Sequence, residues 1–239
     1  MCGGDLARRS VPDRGLAKAS VLDTLEIEAT EAQRGSVIWM HGLGASNDDF
    51  ESVVPELDAG YLRFIFPAAP LRPVTINGGM RMPAWYDILT FDDPPLREKA
   101  DDVREAGREI ERLIEREHER GIPYSSIVLA GFSQGGAMAL HVGLRAREGL
   151  GGVVVLSGYL VLPEHFESER SASNQKTPFL YCHGRQDPIV PHFLGKAGFE
   201  RLKAAGYPAE WAEYPMQHSL CLEEVERVRA WLRQRFPTA

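Results

Sequence analysis

Little in this sequence would cross-link it, carry it through a bilayer or hold nucleic acid. Its 239 residues include three cysteines, Cys2, Cys182 and Cys221, an odd number with no Cys-x-x-Cys pair. That argues against a disulfide framework or a zinc site and sets the expectation of a reducing, cytoplasmic compartment. No window approaches the ~18 apolar residues of a membrane span, so no integral membrane association is expected. Basic residues are in the minority: 27 Lys and Arg against 34 Asp and Glu leave a formal net charge of -7. Such a balance disfavours nucleic acid as a partner. Internal repeats and low-complexity tracts are missing. At the start, Arg8-Arg9 resembles the opening of a twin-arginine signal, but the polar run from Ser10 to Gly15 supplies no apolar core for one. Cys2 likewise lacks the apolar stretch that precedes a lipidated cysteine. Residues 1–20 therefore read as a polar, flexible extension, and residues 21–239 as one domain of a length that can bury a core.

What is present alternates strand and helix. Strands are expected at Leu22–Glu28, Ser36–Met40, Leu62–Phe66, Ser126–Ala130, Gly152–Leu156, Phe179–His183 and Ala209–Tyr214. Helices are expected at Asp48–Leu57 with Asn47 as its cap, Leu96–Arg120, the segment through Ala137–Val142, Phe193–Ala205 and Leu222–Phe236. In the longest, Ala100, Val103, Ile110, Leu113 and Ile114 make an apolar stripe at helical spacing. The row Arg104, Arg108, Arg112 and Arg116 is interleaved with acids, so pairs such as Asp101/Arg104, Glu105/Arg108 and Glu109/Arg112 describe a solvated face, not a phosphate ridge. Residues 67–96 hold six prolines and Gly78-Gly79, which suits a structured loop over a site. Residues 159–176 read as a polar excursion. The alternation predicts an α/β class, with a mostly parallel central sheet and helices on both faces.

The chemistry centres on Gly131-Phe132-Ser133-Gln134-Gly135-Gly136, directly after the apolar run Ile127–Ala130. Gly-x-Ser-x-Gly between a strand and a helix is the nucleophile elbow of the α/β-hydrolase fold. A serine hydroxyl is a poor nucleophile at neutral pH and needs a base, and the base needs an orienting acid. In this fold the order is Ser, then Asp or Glu, then His, each at the carboxyl end of a strand. Asp187 follows the strand ending at His183, and His218 follows the strand ending at Tyr214. The predicted triad is thus Ser133, Asp187 and His218. His41 and His183 also end strands, but each precedes a glycine, and His41 comes before Ser133. An oxyanion hole needs two backbone donors. The N–H of Gln134 is one candidate and that of Leu43, in the turn His41-Gly42-Leu43-Gly44, is the other. A triad base must be neutral to work, so activity is expected to fall in acid.

On these residues the chain resembles the carboxylesterase / acyl-protein thioesterase / lysophospholipase-like family of small α/β-hydrolases. Val37-Ile38-Trp39-Met40-His41-Gly42-Leu43-Gly44 is similar to its oxyanion segment, and Pro83-Ala84-Trp85-Tyr86-Asp87 to its Trp-aromatic-Asp segment. The elbow, the acid loop His183–Pro191 and the His loop Met216-Gln217-His218-Ser219 follow in order, so the likeness spans residues 22–236. Gln217 departs from it, standing where a glycine often precedes the histidine. The resemblance implies a small-molecule ester or acyl thioester substrate of short to medium acyl chain, lysophospholipids included, an acyl-serine intermediate, no metal and no cofactor. Family members are often cytoplasmic and sometimes homodimeric. A protein S-acyl thioesterase is the alternative. A dienelactone-type hydrolase, which usually has cysteine as nucleophile, and a catalytically silent binding protein rank below it.

The substrate site is expected in the proline-rich loop. Trp85 and Tyr86 would wall an acyl pocket, with packing onto the core as the competing reading, and Leu71, Met80 and Met82 would line an apolar groove. Cys221, three residues past His218, is either a thiol near the site or a small buried hydrophobe.

Overall fold

Short runs rich in β-branched and aromatic residues become neighbouring strands. The computed structural model describes residues 22–90 and 97–237, so the extension expected at residues 1–20 lies outside it. Seven strands form the main sheet: β1 (Thr24–Ile27), β2 (Gly35–Met40), β3 (Leu62–Pro67), β6 (Ile127–Phe132), β7 (Gly152–Leu156), β8 (Phe179–Gly184) and β9 (Ala209–Tyr214). Their order is β1-β3-β2-β6-β7-β8-β9. All neighbours run parallel except β1, which pairs antiparallel with β3 at one edge.

The period-two pleat sorts these buried strands into two cores. Ile38, Met40, Ile127, Leu129, Val153, Val155, Phe179 and Tyr181 face one side. There they meet Val103, Ile110 and Leu113 of α2 (Ala100–Glu119) and Met138 and Leu140 of α3 (Gln134–Arg145). Leu202 of α5 (His192–Ala204) joins the same side. Val37, Trp39, Val128, Ala130, Val154, Leu156, Leu180 and Cys182 face the other, covered by Leu57 of α1 (Val54–Leu57) and by Val228, Trp231 and Leu232 of α6 (Leu222–Arg235). This is the mostly parallel sheet with helices on both faces that the alternation predicts.

Some local expectations change. The helix expected over Asp48–Leu57 is a 3-10 turn, Glu51–Val53, running into the single turn α1. Asn47 does not cap it, and Asp58 closes it in a left-handed conformation with φ 46°. Within residues 67–96 a small hairpin forms, β4 (Leu71–Val74) against β5 (Met80–Pro83), turned through Gly78 and Gly79 at φ 65° and 78°. The excursion at 159–176 contains α4 (Phe166–Glu169) between two 3-10 turns. On α2 the expected Glu109–Arg112 pair forms, while Arg104 reaches across to Glu169 at 3.1 Å.

Away from the strands' carboxyl ends, an arginine that the strand pattern alone would leave exposed is buried. Arg63 of β3 is 1% exposed and pairs with Glu26, Glu28 and the fully buried Glu117, whose carboxylate also accepts a 2.7 Å bond from the Ser36 hydroxyl. Among the described residues no helix is long and apolar enough to cross a membrane.

Candidate active site

β6 ends by turning through Ser133 into α3, and the turn dictates its glycines. A Cβ on Gly131 would lie 2.3 Å from the Gly135 carbonyl group, and one on Gly135 would lie 2.2 Å from the Met40 carbonyl oxygen. Both contacts are impossible for a real side chain, so strand, turn and helix approach this closely only with hydrogens there. Ser133 itself sits at φ 56°, ψ -118°. A non-glycine residue held there stores roughly 1–3 kcal/mol of backbone strain, which the surrounding structure must offset. Its N–H donates to the Leu156 carbonyl at 2.8 Å and its carbonyl accepts from Ala137 at 3.0 Å, fixing the turn at both ends.

The structure brings Ser133, His218 and Asp187 into one hydrogen-bonded chain. Ser133 Oγ lies 2.9 Å from His218 Nε2, and His218 Nδ1 lies 2.6 Å from Asp187 Oδ2. The other carboxylate oxygen, Oδ1, accepts the Ile189 and Val190 N–H groups, each at 2.9 Å. Burial alone would raise the Asp187 carboxyl, but the bond from His218 and these backbone donors hold it below the usual carboxylate range. Asp187 is therefore ionised, accepts from Nδ1–H and leaves Nε2 free to take a proton. Phe132 packs its ring 4.7 Å from that of His218. Gln217, where a glycine often stands, is accommodated: a Cβ on Gly184 would meet the Gln217 carbonyl oxygen at 2.4 Å, so the backbone of the His loop rests on that glycine.

Two further histidines stand behind this chain. His183 is fully buried, its Nε2 donates to the Val190 carbonyl at 2.9 Å, and it lies 3.7 Å from Asp187. His41, 1% exposed, donates from Nδ1 to the Gly42 carbonyl at 2.7 Å and accepts the Ala69 N–H on Nε2 at 3.0 Å. Burial lowers the pKa of both, which keeps their rings neutral. Their signal in the sequence is only their place at strand ends.

The glycine turn after β2 lies against the elbow. A Cβ on Gly42 would come 3.5 Å from the Ser133 Cβ. Among the described residues neither the Leu43 N–H nor the Gln134 N–H has a protein acceptor. Gln134 opens α3, where the first N–H groups of a helix have no partner within it.

Around Ser133 opens a cleft of about 690 Å³ with predominantly apolar walls. Ile88, Phe132, Ile189, Phe193 and Leu194 supply much of the apolar lining, with Arg97 and Tyr159 among the polar groups. The residues expected to form the acyl site stand elsewhere. Trp85 and Tyr86 are fully buried, Leu71 and Met80 are exposed on the β4–β5 hairpin, and Met82 packs near Gly44; none of the five lines the cleft. Trp85 and Tyr86 brace the elbow instead, because the Gln134 side chain accepts from the Trp85 N–H and donates to the Tyr86 carbonyl, each at 2.8 Å. Cys221 directly precedes α6 as its N-cap residue and is not part of the lining, although Ser219 and Leu220 are. Among the described residues no group of three or more His, Cys, Asp or Glu is arranged to hold a metal ion.

The chain is similar to known proteins over most of its length. A family model described as Phospholipase/Carboxylesterase matches residues 23–235. The chain is 38% identical over 226 residues to acyl-protein thioesterase 1 of Neurospora crassa, covering 89% of this chain and 91% of that one. It is 34% identical over 219 residues to acyl-protein thioesterase 1 of Yarrowia lipolytica, covering 88% and 96%. Among solved structures, Arabidopsis thaliana SOBER1 superimposes with a TM-score of 0.81 at 30% identity, covering 85% of this chain and 99% of that one. Zea mays acyl-protein thioesterase 2, at 24% identity and a TM-score of 0.78, shares the fold.

Proposed function

The chain belongs to the phospholipase/carboxylesterase family, and on that premise we propose that it hydrolyses carboxylic esters of short to medium acyl chains through an acyl-serine intermediate. The observation that carries the reading is the hydrogen-bonded chain from Ser133 through His218 to Asp187, opening into an apolar cleft. Ser133 Oγ attacks the substrate carbonyl carbon as its proton passes to His218 Nε2. The Leu43 and Gln134 N–H groups bind the oxygen that becomes negative, and ionised Asp187 stabilises the imidazolium. The tetrahedral species collapses, and the leaving alcohol departs with the proton from His218. Water then attacks the acyl-serine by the same route, releasing the carboxylic acid and restoring Ser133.

A second reading, hydrolysis of S-acyl thioesters, uses the same steps with a thiol as leaving group. The relatives named acyl-protein thioesterase favour it. The free Cys182 and Cys221 are in keeping with a cytoplasmic setting. A fluorophosphonate probe tests the nucleophile: serine oxygen displaces fluoride and becomes phosphonylated. Peptide mass spectrometry should find one adduct, on Ser133. A folded wild-type protein that takes up no label there would contradict the reading.

A further inference from the structure

We infer that His41 is a positioning residue, its Nδ1–H setting the plane of the Gly42–Leu43 peptide so that the Leu43 N–H faces the acyl oxygen. This rests on the function proposed above. A trans peptide is planar, with its C=O and N–H pointing in opposite directions. The Gly42 carbonyl and the Leu43 N–H belong to one such unit, so whatever holds the carbonyl aims the N–H. His41 Nδ1 holds it at 2.7 Å.

The ring has no freedom to do otherwise. The Ala69 N–H can only donate, so Nε2, 3.0 Å away, must present its lone pair, and the proton must be on Nδ1. Neutrality follows from burial, which lowers the pKa of His41. A bond accepted by the Gly42 oxygen also polarises its peptide, making the Leu43 N–H the stronger donor.

The support extends to the second donor. Trp85 donates its indole N–H to the His41 carbonyl at 2.9 Å, while the Trp85 backbone N–H is held by the side chain of Gln134, the residue whose own N–H is the other oxyanion donor. His41, Trp85 and Gln134 are 1%, 0% and 2% exposed. Along this path the two halves of the oxyanion hole, 91 positions apart in sequence, are tied to each other through one tryptophan. The residue that its motif assigns to the acyl pocket thus acts at the reacting carbonyl instead of along the acyl chain.

Two substitutions separate the two nitrogens. His41→Asn places an amide donor near Nδ1 and gives up the bond from Ala69. His41→Gln reaches toward Nε2, keeps an acceptor for Ala69 and gives up the bond to Gly42. Removal of an oxyanion donor costs roughly 10²–10³-fold in kcat, and a misaimed donor about 10–10²-fold. We expect His41→Gln to lose about 10–10²-fold in kcat with KM little changed. Its affinity for a trifluoromethyl ketone, which forms a tetrahedral adduct on serine, should fall in parallel. His41→Asn should retain kcat within about fivefold. Thermal melting of each variant shows that it is folded. A folded His41→Gln variant with wild-type kcat and ketone affinity would overturn the inference, as would equal losses in both variants. Absence of ester turnover in the wild-type protein would instead count against the proposed function itself.

Discussion

At the scale of single residues, two buried carboxyls show how partners decide charge. Asp187 has three hydrogen-bond donors on its two oxygens, and its carboxyl is held low. Glu224 is fully buried with no side-chain partner, and burial, offset only in part by the Cys221 backbone, pushes its carboxyl up to about 8. Opposite shifts give opposite pH dependences. Asp187 contributes stability above the ordinary carboxylate range, and that contribution is lost as pH falls through its lowered native pKa. Glu224 keeps its proton in the native state while the unfolded chain releases it from about pH 4.5 upward, so its contribution declines as pH rises from there to about 8. Glu224→Gln cannot ionise. Melting temperatures at pH 5 and pH 8 should therefore show a smaller loss on going to pH 8 in the variant than in the wild type. An identical loss in the two proteins would show that Glu224 is already charged in the native state. Neither shift is visible in the sequence, because burial and the approach of His218, 31 positions away, arise only in the fold, and the nearby donors to Asp187 are backbone N–H groups that carry no sequence signal. Ser133, Asp187 and His218 could be picked out because the fold demands a fixed order at strand ends. His41 could not be given a role, because its partners Gly42 and Ala69 matter through backbone atoms that carry no sequence signal.

At the scale of elements, the strands of the main sheet were legible because parallel strands are apolar on both faces and flanked by turn residues. The hairpin β4–β5 was not, since Pro70, Pro73 and Pro83 oppose a regular strand and only its isolation as a two-stranded ribbon accommodates them. The same stretch misled the reading of the cleft. Its conspicuous apolar residues divide into fully buried Trp85 and Tyr86 and outward-facing Leu71 and Met80; this stretch contributes Ile88 to the cleft, and the other apolar walls come from Phe132, α5 and the acid loop. Phe193, at the start of α5, is 67% exposed and lines the cleft, so it is placed to meet an acyl chain. Each buried methylene is worth about 0.8 kcal/mol, close to fourfold in kcat/KM. Phe193→Ala should therefore reduce the preference for octanoate over acetate esters by several-fold, while Met80→Ala should leave that ratio unchanged. The reverse pattern would return the acyl site to the hairpin.

At the scale of the whole molecule, one parallel sheet gathers at its carboxyl edge groups from four separated stretches: the turn after β2, the elbow after β6, the acid loop after β8 and the His loop after β9. That convergence is what α/β topology supplies, and it explains why strand order points to the chain of polar residues while the cleft's shape depends on side-chain packing that strand order does not encode. The central claim is that Ser133 serves as nucleophile toward esters in this cleft. It is tested most directly by kcat/KM for p-nitrophenyl esters from acetate to palmitate, measured on the wild type and on Ser133→Ala. We expect turnover by the wild type that rises with chain length until the cleft is filled, and a loss of at least about 10³-fold in the variant across the series. A folded wild type without turnover on any ester or acyl thioester, or a Ser133→Ala variant as active as the wild type, would contradict the account.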